Sequence, residues 1–163
     1  MLGLDGAAEV RHGFRTLQQT FGNRLAGVIV QPMITGGVKV RINVLEEEVL
    51  GPLVLFGLAG VTADVLAGRT ARLAPLTGAD ADDLIRSAGA ARMRPGRSDA
   101  ARAELASVKS VLLRVSQLAD DLAQIAELEL NPVVARAAGA EALDARVRVR
   151  AAESSDAYLR QLR

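Results

Sequence analysis

Val38-Lys39-Val40-Arg41-Ile42-Asn43-Val44 alternates apolar and polar residues without a break. Successive side chains of a strand point to opposite faces. A period of two therefore predicts a half-buried strand, with Val38, Val40, Ile42 and Val44 turned toward a core. Gly36-Gly37 reads as a turn before it, and further upstream lies the β-branched run Val28-Ile29-Val30, ended by Pro32. These two runs are expected to form a β-hairpin with a longer loop. Downstream, Glu46-Glu47-Glu48 reads as a charged loop, Gly51-Pro52 as punctuation and Leu53-Val54-Leu55-Phe56-Gly57 as a third strand. Hairpins of this kind build an antiparallel sheet.

The pattern outside the strands is helical. Ala7, Ala8, Val10, Phe14, Leu17 and Phe21 recur at helical spacing, which predicts a helix over 7–20, broken at Phe21-Gly22-Asn23. Residues 71–73 read as a short strand ending at Pro75. Thr77 and Asp80 have the spacing of a capping box before a short helix over 81–91. Residues 92–98 form a Pro/Gly loop, and Ser98 or Asp99 caps the longest helix, 100–122. Leu105, Val108, Val111, Leu112, Val115, Leu118 and Leu122 mark its apolar face. Then 125–130 alternates imperfectly, Asn131-Pro132 interrupts, 133–135 resumes, and 142–149 alternates again after a turn at 138–140. A polar tail over 154–163 has room for a helical turn around Tyr158. The order predicts an α+β fold, an antiparallel sheet with helices packed on one face, and not a doubly wound sheet.

Composition removes whole classes of function. The 163 residues fit one domain of ordinary size, and 50% hydrophobic residues exclude a disordered chain. There is no cysteine, which excludes disulfide scaffolds, cysteine nucleophiles and thiolate metal sites. His12 is the only histidine, and it reads as an exposed or partly packed residue of the first helix. With Lys+Arg 20 against Asp+Glu 19 and 2% aromatic residues, nucleic acid is not an expected partner. Apolar runs are too short for a membrane span and the start does not read as a signal peptide, so a cytoplasmic domain is expected.

Glu127-Leu128-Glu129-Leu130-Asn131-Pro132 is the segment richest in chemistry. On a strand Glu127, Glu129 and Asn131 share a face, and a hairpin would bring Asp144 alongside. Carboxylates with an amide oxygen make a hard, all-oxygen donor set. It suits Mg²⁺, which takes one or two carboxylates, keeps waters and binds substrate phosphates. The same spacing also describes a solvated acidic face of an edge strand, and spacing alone leaves both open. Arg146, Arg148 and Arg150 read as the exposed face of the last strand.

Taken in order, Val28–Met33, Gly51-Pro52-Leu53-Val54, Leu73-Ala74-Pro75-Leu76, Glu127–Val133 and Leu143-Asp144-Ala145-Arg146-Val147 resemble the carboxy-terminal half of an ATP-grasp domain. The resemblance covers most of 25–150. It points to the NDP-forming acyl-CoA synthetases, to the synthetase-like domain fused to GCN5-type protein acetyltransferases and, more distantly, to the succinyl-CoA synthetase β subunit. Its most specific element is E-L-N-P-V followed by L-D-A-R-V. The resemblance implies Mg-ATP held between two halves of a domain. Asn131 and Asp144 are then the metal residues, and Glu129 lies beside them. Gln31, Pro32 and Met33 lie on a strand under the adenine, and Gly57 and Gly60, with Gly51 and Pro52, in glycine-rich turns near the triphosphate. It implies a helix over 1–24 entering from a missing amino-terminal half, a subdomain over 25–150 and a tail over 151–163. The implied partners are ATP and ADP, that missing half, CoA-binding domains and an acetyltransferase domain.

The departures from the family pattern are specific. Lys39 stands where the family has Glu, Asn43 where it has Gly, and Ala59 in its G-L-G-G run. Lys39 either offers a new phosphate contact or marks a site that has lost turnover. Arg94-Pro95-Gly96-Arg97 reads as a shortened G-x-R-G loop. Three functions are therefore weighed. The chain is part of an ADP-forming acyl-CoA synthetase, inactive alone; or a regulatory, ligand-sensing domain of a protein acetyltransferase; or a purely structural interaction domain that binds no nucleotide.

Overall fold

The computed structural model describes residues 1–59, 70–88 and 99–151. The chain divides into two compact units, Met1–Thr35 and Gly36–Arg163. In the first, α1 (Gly6–Phe21) is followed by a 3₁₀ turn, Gly22–Arg24. His12 is exposed on α1. Residues 25–35 carry no regular structure, so the strand and hairpin expected around Val28-Ile29-Val30 do not form. A β-branched run becomes a strand only with an edge to pair and a face to bury. Here Ile29 is 86% exposed and Val30 67%.

The second unit contains β1 (Val38–Glu47), β2 (Gly51–Leu58), β3 (Thr70–Leu73), α2 (Gly78–Ser87), α3 (Asp99–Asp121), β4 (Ile125–Arg136), β5 (Gly139–Ala142) and β6 (Ala145–Val149). The sheet runs β3-β2-β1-β4-β5, with β6 also on β4, and every pairing is antiparallel. Gly37, at φ +83°, opens β1 close to β4. A Cβ there would lie 2.5 Å from the Ala135 carbonyl oxygen, so only glycine fits without backbone movement.

Alternation decides which face of β1 is buried. Val40, Ile42 and Val44 are fully buried, together with Val54 and Phe56 of β2 and Leu128, Val133 and Ala135 of β4. Val38 is partly buried against the same core. α2 and α3 close this core through Leu84, Val108, Leu112 and Val115. Each such side chain stabilises the fold by roughly 1.5–3 kcal/mol on burial. The buried stripe of α3 runs Val108, Leu112, Val115, Ala119, so Leu118 and Leu122 turn away, at 40% and 43% exposure. They do not continue the core face the spacing predicts. The architecture is α+β, with α2 and α3 packed on one face of the antiparallel sheet.

Local chemistry fixes the ends. Thr77 and Asp80 form the predicted capping box, and α2 begins at Gly78. Hydrogen bonds from the Thr77 hydroxyl and backbone hold the exposed Asp80 carboxyl below its ordinary pKa. Ser116, the one buried polar side chain among the described residues, accepts the Leu76 N–H at 2.6 Å and ties the 74–77 loop to α3. The Glu46-Glu47-Glu48 segment is not a charged loop. Glu46 and Glu47 end β1, and Glu47 accepts the Val49 and Leu50 amides across the turn. The expected single strand over 142–149 is two, β5 and β6, separated at Leu143-Asp144. Ser98, Arg94-Pro95-Gly96-Arg97 and the helical turn at Tyr158 lie outside the described residues.

Candidate functional site

The face of the sheet opposite the helices is polar at its centre. Lys39, Arg41 and Asn43 alternate with the buried residues of β1; on β4, Glu129 is the partner of Asn43, Asn131 lies opposite Arg41, and Glu127 follows as the partner of Leu45. The register shifts by one residue between Ile42↔Leu130 and Val40↔Val133, so two residues of β4, Asn131 and Pro132, face Arg41 alone. Pro132 lacks an N–H to give a ladder, and this bulge accommodates it. The expected interruption at Asn131-Pro132 is thus a bulge inside a continuous strand, and its Asn131-Pro132 peptide is cis.

The other edge of β4 is shared. β5 pairs with Val133–Arg136 and β6 with 125–130. The chain crosses from one to the other at Leu143-Asp144, directly beside the bulge. Asn131 N–H donates to the Asp144 carbonyl at 3.2 Å, and Leu143 N–H to the Pro132 carbonyl at 2.9 Å. The backbone of Asp144 therefore lies alongside Asn131.

Within the cluster, Asn131 Nδ2 donates to Glu129 Oε1 at 3.3 Å, which leaves Oδ1 as the amide's open acceptor among the described residues. Arg41 Nε lies 3.8 Å from the same Glu129 oxygen, beyond hydrogen-bond range, and is a buried donor without a partner. Arg146 is in register with Glu129 from β6. Glu127 pairs with Arg148 at 3.2 Å and Arg150 with Glu46 at 3.0 Å, so two of the last strand's arginines brace the sheet edge.

Not every predicted residue joins this cluster. Lys39 is exposed on β1, on the same strand face. Gly57 is buried in β2 and is Arg41's partner across the β1–β2 ladder. Gly60 lies outside the described residues. Gln31, Pro32 and Met33 belong to the first unit, are exposed, and sit on irregular backbone instead of the strand expected under an adenine. Arg41 was missed by sequence reasoning. The signal available was its place between Lys39 and Asn43 on the polar side of a strictly alternating strand.

The donor set fits a magnesium–nucleotide group. Among the described residues no three His, Cys, Asp or Glu side chains converge on one point. The chain can offer Glu129 and Asp144 with the Asn131 amide oxygen, a sparse oxygen set that phosphate and water must complete, as Mg²⁺ prefers. The unpartnered Arg41 Nε calls for an anionic acceptor of the kind a phosphate provides.

This arrangement, an antiparallel sheet whose polar face gathers E-L-N-P and L-D-A-R at one bulge, is that of a known class: the chain belongs to the ATP-grasp domain family, which it matches over residues 1–149. Among relatives, acetate–CoA ligase (ADP-forming) I of Archaeoglobus fulgidus is 33% identical over 124 residues, 76% of this chain and 18% of that protein. The β subunit of acetate–CoA ligase (ADP-forming) I of Pyrococcus furiosus is 32% identical over 144 residues, 85% of this chain and 62% of that one. The dinucleotide forming acetyl-coenzyme A synthetase 1 of Ca. Korarchaeum cryptofilum, solved with coenzyme A and Ca-AMPCP, superposes with a TM-score of 0.78 at 29% identity, covering 92% of this chain and 68% of that chain. The same protein has been solved with coenzyme A and Mg-AMPPCP. The chain thus spans less than two thirds of the length of these curated relatives. No helix among the described residues is long and apolar enough to cross a membrane.

Proposed function

We propose that this chain is the nucleotide-binding part of an ADP-forming acyl-CoA ligase, which joins a carboxylic acid to coenzyme A at the expense of ATP. The observation that carries this reading is the meeting of Glu129, Asn131 and Asp144 at the β4 bulge. Family membership and the ligase relatives support it. Asn131 Oδ1 and the Asp144 carboxylate would hold Mg²⁺, with Glu129 beside them, and the ion supplies charge neutralisation for the phosphates. Arg41 and Lys39 would face the phosphate oxygens, with Gly57 beside Arg41 across the β1–β2 ladder. The partners are ATP and ADP, the other half of the nucleotide domain and CoA-binding domains, in the cytoplasm. Calorimetric titration of Mg-ATP into the chain, its Asn131→Ala variant and its Asp144→Ala variant tests this. Heat that both substitutions weaken supports the reading, and equal heat in all three contradicts it.

A second reading is favoured by Lys39 and Arg41 on the polar face of β1. Two cations on the strand face that borders the proposed metal oxygens suit a domain that binds nucleotide without turning it over, such as a regulatory domain of a protein acetyltransferase. Ligase turnover in the full-length protein decides against it. Nucleotide binding without ADP formation decides for it.

A further inference from the structure

We propose that Arg41 is a fixed internal cation of this site: it lowers the site's affinity for a divalent metal ion and itself binds nucleotide phosphate. The inference rests on the nucleotide reading above and adds a chain-specific charge balance to it. Three observations carry it. Arg41 Nε stands 3.8 Å from Glu129 Oε1, so the guanidinium already offsets the carboxylate that borders the metal oxygens. The distance is too long for a hydrogen bond, and Nε is buried with no acceptor among the described residues. A buried N–H left without an acceptor is a donor whose hydrogen-bonding capacity an anion can fill. Lastly, the bulge gives Arg41 two β4 residues as its counterpart, Asn131 and Pro132, and this places its stem beside the amide that completes the donor set.

The electrostatics follow from distance. A unit positive charge beside the carboxylate that borders the metal oxygens repels an incoming divalent ion even at a partly screened, surface-like dielectric. The same charge attracts a polyphosphate. Arg41 should therefore shift the balance of the site from metal toward metal-free phosphate. Its neighbour Asn43 is neutral, and Lys39 adds a second positive charge on the same strand face.

The test measures metal and nucleotide separately on the 163-residue chain. Mn²⁺ is titrated alone and followed by the loss of its free-ion electron paramagnetic resonance signal, for the wild type, Arg41→Met, Arg41→Gln and Arg41→Lys. ADP is titrated calorimetrically in chelator, without metal. Circular dichroism melts confirm that each variant is folded, and Arg41→Gln serves if Arg41→Met is not. The expected result is Mn²⁺ binding about tenfold tighter or more when the charge is removed, wild-type-like Mn²⁺ binding in Arg41→Lys, and weaker metal-free ADP binding in the neutral variants. Equal Mn²⁺ affinity in wild type and neutral variants, including no binding in any of them, overturns the proposal. ADP bound by all chains with unchanged Mn²⁺ affinity would sink this inference and leave the nucleotide reading standing. A rise in Mn²⁺ affinity with no ADP bound by any chain would overturn the phosphate half of the proposal and count against the nucleotide reading, while the metal half held.

Discussion

β1 has two faces made by opposite rules. Val40, Ile42 and Val44 are fully buried on one, and Lys39, Arg41 and Asn43 stand on the other. On the first face, identity is interchangeable within limits, because what counts is apolar volume in contact with Phe56, Leu84 and Leu112. On the second, one atom matters: Arg41 Nε is buried beside Glu129 without a hydrogen bond. The fold is held by the face toward α2 and α3, and the chemistry we propose lies on the face away from them. This separation explains how the family's fold persists here while Lys39 and Asn43 depart from its pattern.

Substitutions can break that division. The largest effect is expected from the helix-side face. Ile42→Ala should lower stability by roughly 2–5 kcal/mol in urea unfolding, since it leaves a cavity among fully buried neighbours. A cost near zero would show that this face is not the core. Ser116→Ala comes next. It removes the acceptor of the buried Leu76 N–H and should cost about 1–3 kcal/mol by the same assay. Thr77→Ala, which opens the α2 capping box, should cost about 1 kcal/mol in thermal unfolding at neutral pH.

The cap also has a pH signature. Asp80 is held below its ordinary value of 3.8 by the Thr77 hydrogen bonds. Its contribution is therefore present above that value and is lost as pH falls through the lower folded-state pKa. The melting-temperature gap between wild type and Asp80→Asn should close across that acidic window. A gap that stayed constant, or widened toward acid, would contradict the cap geometry. The smallest effect is expected at the far edge of the sheet. Arg148→Ala breaks an exposed pair with Glu127 and should change stability by less than about 1 kcal/mol.

Much of this was legible in the residues. The strict alternation of 38–44 named β1 and its buried face, the Thr77–Asp80 spacing named the α2 cap, and E-L-N-P-V with L-D-A-R-V named the pair of strands that meet at the site. The failures have physical causes. Val28-Ile29-Val30 has strand propensity but no partner, and propensity does not supply one. The alternation of 142–149 continues across Leu143-Asp144, so periodicity could not show that β5 and β6 take successive stretches of one β4 edge. Alternation puts Arg41 on the polar side of β1, but its neighbours across the ladder are set by a bulge, a long-range register shift that local spacing does not encode.

Nucleotide is expected to meet the sheet face away from α2 and α3. Backbone amide chemical shifts of the ¹⁵N-labelled chain, recorded while Mg-ADP is added, test it most directly. The account predicts shifts concentrated at Lys39, Arg41, Asn43, Glu129, Asn131 and Asp144, with Val108, Leu112 and Val115 of α3 unmoved. Shifts confined to α2 and α3, or none at all at saturating Mg-ADP, would contradict it.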